Sequence, residues 1–108
     1  MRRFATLNRQ ADFARLRRLG RRTSTKSLVI YRSDVLAGET SSRVGITVSK
    51  AVGKAVIRNK LRRRLAAIIH EALACERASR LLVVARPVAA GLAYPELRAE
   101  LTSALDGR

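Results

Sequence analysis

Three stretches of the chain have the spacing of apolar residues that is typical of β-strands. In residues 27–33 apolar side chains point to both faces, and Val29 and Tyr31 share one of them. Residues 43–49 carry valine or isoleucine on one face and arginine, glycine, threonine or serine on the other, which predicts one packed and one open face. Residues 80–86 are apolar on both faces, a pattern that predicts a buried strand.

Helical spacing of apolar residues predicts three helices around these strands. The first begins at a cap, Asn8, and ends just before Gly20; the second follows Gly53 and ends near Ala78; the third begins at Pro95. The order α-β-β-α-β-α predicts an α+β fold in which helices pack against a small mixed β-sheet.

The connections predict a single compact unit. A chain of 108 residues suits one domain with one modest core, so we expect one domain over residues 1–108 with a basic tail over 1–7. Residues 21–26 form a basic connection with room for a short strand. Residues 34–42, with Gly38 and two acidic side chains, predict the turn of a hairpin. The general rule for a strand, helix, strand unit predicts a right-handed crossover.

The second and third helices each have one apolar face. On the second helix this face is formed by Ile57, Leu61, Leu65, Ile68 and Ala72. The opposite face carries Asn59, Arg63, Ala66 and His70. On the third helix, leucine recurs at positions 97, 101 and 105.

The charge of the chain indicates an anionic partner. Lys and Arg number 23 against 8 Asp and Glu, which gives a net charge of +15. Self-repulsion on this scale favours a nucleic acid as the partner, with an anionic membrane second. No apolar run has membrane-spanning length and no secretion signal is present, so we expect a cytoplasmic protein that does not enter membranes. The single cysteine, Cys75, excludes a disulfide within the chain.

The basic residues are densest between Lys50 and Arg64, where seven of fifteen residues are Lys or Arg. No Asp or Glu occurs between Thr40 and His70, so these cations, together with Arg43, have no carboxylate in their own segment. A solvated helix normally interleaves Glu with Lys, whereas like charges four residues apart cost a few tenths of a kcal/mol, roughly, per pair. This arrangement predicts a binding site for a polyanion.

Residues suited to catalysis are scarce. His70 is the only histidine, on the polar face of a helix where we expect it to be exposed, and the eight carboxylates are dispersed. The pattern predicts no metal site and no catalytic residue in the chain. We therefore expect this chain to bind its anionic partner without cleaving it.

The segment Arg43 to Arg64, R-V-G-I-T-V-S-K-A-V-G-K-A-V-I-R-N-K-L-R-R-R, resembles the signature of the bacterial ribonuclease P protein component. Weaker matches are D-F at Asp12 and Phe13 ahead of a glycine, L-V-I-Y ending at Tyr31, and L-L-V-V-A-R-P ending at Pro87. The sequence departs from the family pattern at Arg17, where a second aromatic residue is common, and at Ala66, where a basic residue is common and Arg64 is a possible substitute.

The resemblance implies a fold shared with a ribosomal-protein domain, with an unusual left-handed βαβ crossover. It implies a catalytic RNA and a precursor tRNA as partners, no required protein partner, and Mg²⁺ held mainly by the RNA. The residues that it assigns to the catalytic RNA are Lys50, Lys54, Arg58, Asn59, Lys60, Arg62 and Arg63. The residues that it assigns to the single-stranded 5′ leader of precursor tRNA are Phe13, Arg17 and Tyr31.

Two questions stay open at the level of sequence. Phe13 has the spacing of a core residue, and the resemblance adds the alternative that it lines a cleft; an aromatic side chain at a cleft wall can do both. The function also has an alternative, a structural RNA-binding protein associated with the ribosome, which would use the same basic helix without a leader cleft.

Overall fold

The computed structural model describes residues 4–7, 9–73 and 79–106. Its elements, in chain order, are β1 (Phe4–Thr6), α1 (Gln10–Leu19), β2 (Arg21–Ser24), β3 (Leu28–Asp34), β4 (Ser42–Val48), α2 (Ala55–Ala72), β5 (Ser79–Ala85) and α3 (Tyr94–Asp106). Short 3-10 turns, Lys50–Val52 and Pro87–Gly91, precede α2 and α3. The α+β class and the predicted order of the main elements are confirmed.

The five strands form one mixed sheet in the order β1-β4-β5-β3-β2. Strands β1, β4 and β5 run parallel, and β3 pairs antiparallel with both β5 and β2. The predicted hairpin between β3 and β4 is wrong, because β5 lies between them. A strand that is apolar on both faces gains most from neighbours on both sides, and β5 takes that position.

Helices α2 and α3 cover one face of the sheet and form the main core. Leu61, Leu65 and Ile68 are buried as predicted, and so are the three leucines of α3. Ile57, which was also predicted in the core, is 43% exposed because it lies against Gly53 in the turn that precedes α2. Ile69, which is fully buried, was not on the predicted face.

Helix α1 covers part of the other face and forms a smaller core. Leu16 packs there with Leu7 and Leu82. Phe13 reaches over β4, where a Cβ added at Gly45 would lie 2.7 Å from the ring atom Cε1. The predicted open face of this strand is therefore covered at Gly45, because the glycine admits the aromatic ring.

The N-terminal segment differs from the prediction. The segment predicted as a tail contains β1, which pairs with β4. The predicted cap Asn8 lies outside the described residues, as do Cys75 and the predicted helix end near Ala78. Helix α2 is described to Ala72. Strand β1 was missed because a strand of three residues is defined by its partner and has too few residues to show a period.

A buried guanidinium ties α1, the β3–β4 connection and β5 together. Arg80 on β5 is 5% exposed and donates from Nε and Nη2 to the two carboxylate oxygens of Glu39, both at 3.1 Å. Its Nη1 donates to Asp12 Oδ1 of α1 at 3.1 Å. Arg43, predicted to lack a carboxylate, places Nε 2.7 Å from Glu39 Oε2, as an ion pair without hydrogen-bond alignment.

The hydrogen bonds from Arg80 and from the backbone N–H of Leu36 lower the pKa of Glu39 from 4.5 to about 2. A carboxyl whose pKa is lowered by folding stabilises the protein above its unfolded pKa, and this contribution is lost as the pH falls through the folded pKa. The contribution of Glu39 is therefore complete at neutral pH and disappears between pH 4.5 and about 2.

We expect Glu39→Gln to lower the melting temperature at neutral pH, because the buried Arg80 then loses its bidentate carboxylate. The difference from the unaltered protein should shrink as the pH falls from 4.5 toward 2. Thermal melting across pH measures this. Glu71→Gln, at the exposed pair with Arg98, is the matched control and should have a much smaller effect. Equal effects of the two substitutions would contradict the role of the buried guanidinium.

Candidate nucleic-acid interface

The first candidate surface is the turn before α2 together with the first half of that helix. We call it the basic ridge, formed by Lys50, Lys54, Arg58, Asn59, Lys60, Arg62 and Arg63. Arg58 and Arg62 are half-buried, and the other five side chains are exposed. Among the described residues, none of these cations forms an ion pair, whereas Arg43, which was expected to lack a carboxylate together with them, pairs with Glu39.

A glycine sets the geometry where the ridge begins. Gly53 has φ 153° and ψ −165°, a conformation that side chains disfavour, and its N–H donates to the Lys50 carbonyl at 3.2 Å. The chain then enters α2 with Lys54 at the N-cap, without a side-chain cap and without an acidic residue in the first turn. The positive end of the helix dipole thus adds to the side-chain charge of the ridge.

Two hydrogen bonds orient side chains of the ridge. Arg58 donates from Nε to the Gly53 carbonyl at 3.2 Å, and Arg62 donates from Nη1 to Asn59 Oδ1 at 2.9 Å. Both bonds leave guanidinium N–H groups for an external acceptor, since an arginine has five. Asn59 is therefore exposed and also orients the side chain of Arg62.

Apolar side chains interrupt the ridge at its start. Val56 is 78% exposed and Ile57 is 43% exposed. Sequence analysis did not place either side chain on a surface, because the helical period assigns Ile57 to the packed face. Nonpolar surface among cations suits a partner that is anionic and also carries flat apolar groups, as nucleotides do.

The second candidate surface is the part of the sheet that α1 leaves uncovered. We call it the cleft, formed by Phe13 on α1 and by Tyr31, Thr47 and Val84 on three adjacent strands. All four side chains are half-buried. Register places Thr47 opposite Val84, and Phe13, Tyr31 and Val84 all pack against the smaller core. The structure thus brings Phe13 and Tyr31 to the same face of the sheet, each with part of its surface accessible.

Arginines border the cleft. Arg17 lies one helical turn after Phe13 and is exposed. Arg22 on β2 is directly opposite Tyr31 in the antiparallel register, so it lies on the same face, and it is also exposed. Arg22 was not predicted, because the pairing of β2 was not predicted; the antiparallel register of a short strand over residues 21–24 would have identified it.

The remaining residues singled out by sequence do not assemble a catalytic or metal site. His70 is half-buried near the end of α2, not exposed as predicted, because α3 packs beside that helix. Within residues 4–7, 9–73 and 79–106, no group of three His, Cys, Asp or Glu side chains is placed to hold a metal ion. No helix in this part of the chain is long and apolar enough to span a membrane.

The mixed sheet with helices on both faces, the basic ridge and the arginine-bordered cleft define a small α+β protein with surfaces suited to a polyanion. The model of the family described as Ribonuclease P matches residues 1–107. A ribonuclease P protein component from Thermobifida fusca is 43% identical over 106 residues, covering 92% of this chain and 72% of the relative.

Solved structures show the same architecture. The Staphylococcus aureus RNase P protein superposes with a TM-score of 0.86 at 27% identity, covering 94% of this chain and 92% of the other. The Thermotoga maritima RNase P protein, solved with 1-(4-fluorophenyl)-2-thiourea, has a TM-score of 0.83 at 23% identity, covering 94% and 98%; at that identity it supports the fold alone. The chain belongs to the ribonuclease P protein family, whose members are components of a ribonucleoprotein that processes tRNA.

We expect the combined change of Arg58, Arg62 and Arg63 to Gln to weaken binding to ribonuclease P RNA without unfolding the protein, because these side chains lie outside the buried face of α2. The slope of log K against log salt should fall by about 0.7 to 0.9 for each phosphate that the variant no longer neutralises.

The matched control removes the same charge elsewhere, with Arg15, Arg18 and Lys26 changed to Gln; all three are exposed and outside the ridge. Filter binding across a salt series and thermal melting measure both variants. If the control reduced affinity and slope as much as the ridge variant, net charge would explain binding and the ridge assignment would fail.

Proposed function

We propose that this chain is the protein subunit that holds the catalytic RNA of ribonuclease P through the basic ridge and binds the 5′ leader of precursor tRNA in the cleft. The observation that carries the proposal is the continuity of the two surfaces. Thr47 of the cleft is on β4, and the ridge begins at Lys50 in the turn that follows. A tRNA leader bound in the cleft and a catalytic RNA bound on the ridge would therefore lie side by side.

The ridge suits a folded RNA. Its cations have no competing carboxylate among the described residues, so they are available for phosphates, and the exposed Val56 and Ile57 offer surface to ribose or base. Arg58 and Arg62 are oriented before binding by hydrogen bonds within the chain. Preorganised side chains lose less conformational entropy when they bind.

The cleft suits a single strand. Tyr31 and Phe13 present half-buried rings on which bases can stack without strong sequence preference. Arg17 and Arg22 at its border are placed to contact phosphates of the same strand. Mature tRNA has no 5′ leader to stack on these rings, so the cleft distinguishes precursor from mature tRNA.

Catalysis belongs to the RNA partner in this proposal. Arg80 pairs with the carboxylates of Asp12 and Glu39. Among the described residues, no three His, Cys, Asp or Glu side chains are grouped so that they could hold Mg²⁺. We assign the Mg²⁺ to the RNA. The net charge of +15 on the protein reduces phosphate repulsion between the two RNAs, and the cleft holds the leader in place.

Tyr31→Ala should weaken binding of leader-bearing tRNA to the assembled ribonucleoprotein by about 1 to 3 kcal/mol for each base that no longer stacks, and should spare mature tRNA. Tyr31→Phe keeps the ring and should bind almost normally. Tyr94→Ala is the control, since Tyr94 is a half-buried tyrosine that packs against the main core on the other side of the sheet. Equal weakening for tRNA with and without a leader would rule out the cleft as the leader site.

The assignment of catalysis to the RNA partner is tested by a cleavage assay with protein alone, RNA alone and both, over a series of salt and Mg²⁺ concentrations. Protein alone should leave precursor tRNA intact, and both together should give one cut at the mature 5′ end. The benefit of the protein should decrease as salt rises, because salt screens phosphate repulsion and weakens the contacts of the protein.

His70→Ala should be neutral in the cleavage assay. Cleavage by RNase-free protein alone that this substitution abolishes would place catalysis in the chain. The RNA that co-purifies with the protein from cells provides a second test: a dominant ribonuclease P RNA supports the proposal, and ribosomal RNA would support the ribosome-associated alternative.

A further inference from the structure

We propose that Asp12 and Arg80 form a clip that positions α1 on the sheet and thereby sets the place of Phe13 in the cleft. Both are then positioning residues for the leader: they act through Phe13 and do not touch RNA. The inference rests on the proposed leader site, and it assigns a role to Asp12 and Arg80, neither of which lies on the cleft surface.

The clip joins two elements that are distant in sequence. Arg80 is fixed in β5, the central strand, and its Nη1 donates to Asp12 Oδ1 at 3.1 Å across 68 residues of chain. The side chain of Arg80 is 6% exposed and that of Asp12 is 24% exposed. A charged hydrogen bond shielded from water to this extent is directional and stronger than one at the surface.

The position of α1 depends on few other interactions. The helix has ten residues, and Leu16 is its only fully buried side chain. Its N-cap, Arg9, provides no side-chain capping hydrogen bond. Asp12 lies in the first turn and Phe13 is the next residue, so the bond from Arg80 holds the helix where the Phe13 ring reaches over Gly45.

Asp12 and Glu39 hold different elements on Arg80. Glu39 lies in the connection between β3 and β4, accepts two hydrogen bonds from Arg80 and also pairs with Arg43. The two guanidiniums balance the two carboxylates, so Asp12 adds no net negative charge beside a site for a polyanionic strand. The positioning of α1 is therefore the contribution that Asp12 makes and Glu39 does not.

The two carboxylates can therefore be tested separately. Asp12→Asn removes the charged bond to α1 and keeps Arg80 paired with Glu39. Glu39→Gln weakens the hydrogen bonds that Arg80 makes to residue 39 and keeps the bond from Arg80 to Asp12 on α1. Each variant is made with Phe13 and with Phe13→Ala, and each is assembled with ribonuclease P RNA. Affinities for leader-bearing and mature tRNA are measured, with thermal melting of every variant.

We expect Asp12→Asn to reduce the ratio of affinities for leader-bearing and mature tRNA several-fold. Glu39→Gln should lower the melting temperature and leave this ratio unchanged. Asp12→Asn should add nothing to the effect of Phe13→Ala, because both act through the same ring. Asp12→Glu, which restores a carboxylate, should recover part of the ratio.

Three results would overturn the clip. The first is an unchanged ratio in Asp12→Asn when Phe13→Ala lowers it, which would leave Asp12 with a role in stability only. The second is an additive loss in the double variant, which would exclude action through Phe13. The third is a fall in the ratio of affinities for Glu39→Gln that is as large as the fall for Asp12→Asn. Failure of the proposed leader site is a different result, because the unaltered protein would then bind both tRNAs equally.

Discussion

The fold depends on the need of β5 to bury both of its faces. Leu81 and Val83 point to one side and Leu82 to the other, and all three are fully buried. A strand of this kind needs a neighbour at each edge and a layer on each face. Strands β4 and β3 supply the neighbours, α2 and α3 cover one face, and α1 covers part of the other. The small size of α1 leaves the rest of that face open as the cleft.

Three carboxylates make contacts between elements of the fold. Glu39 and Asp12 hold Arg80, and Glu100 on α3 accepts hydrogen bonds from Thr25 and from the backbone and side chain of Ser27. These acids join elements far apart in sequence and are not available to the ridge. The large positive charge is therefore concentrated on surfaces where a polyanion can approach, and repulsion among those cations is relieved when it binds.

Local patterns were sufficient to predict a large part of the structure. Alternating apolar residues predicted β4, short apolar runs predicted β3 and β5, and the leucines at positions 97, 101 and 105 predicted the packed face of α3. The basic ridge was also predictable, because its residues are close together in the chain and no acid occurs among them. Each of these features is determined by residues within a few positions of one another, and periodicity reports that information directly.

Tertiary structure decided which elements meet. Sequence could not place β5 between β3 and β4, because strand order depends on how both apolar faces of β5 are covered at once. It also could not predict β1, the pairing of β2 with β3, Arg22 beside Tyr31, or the bond between Asp12 and Arg80. The residues themselves determined the local faces and the location of charge, whereas pairing across 68 residues is settled only when the whole chain closes around its core.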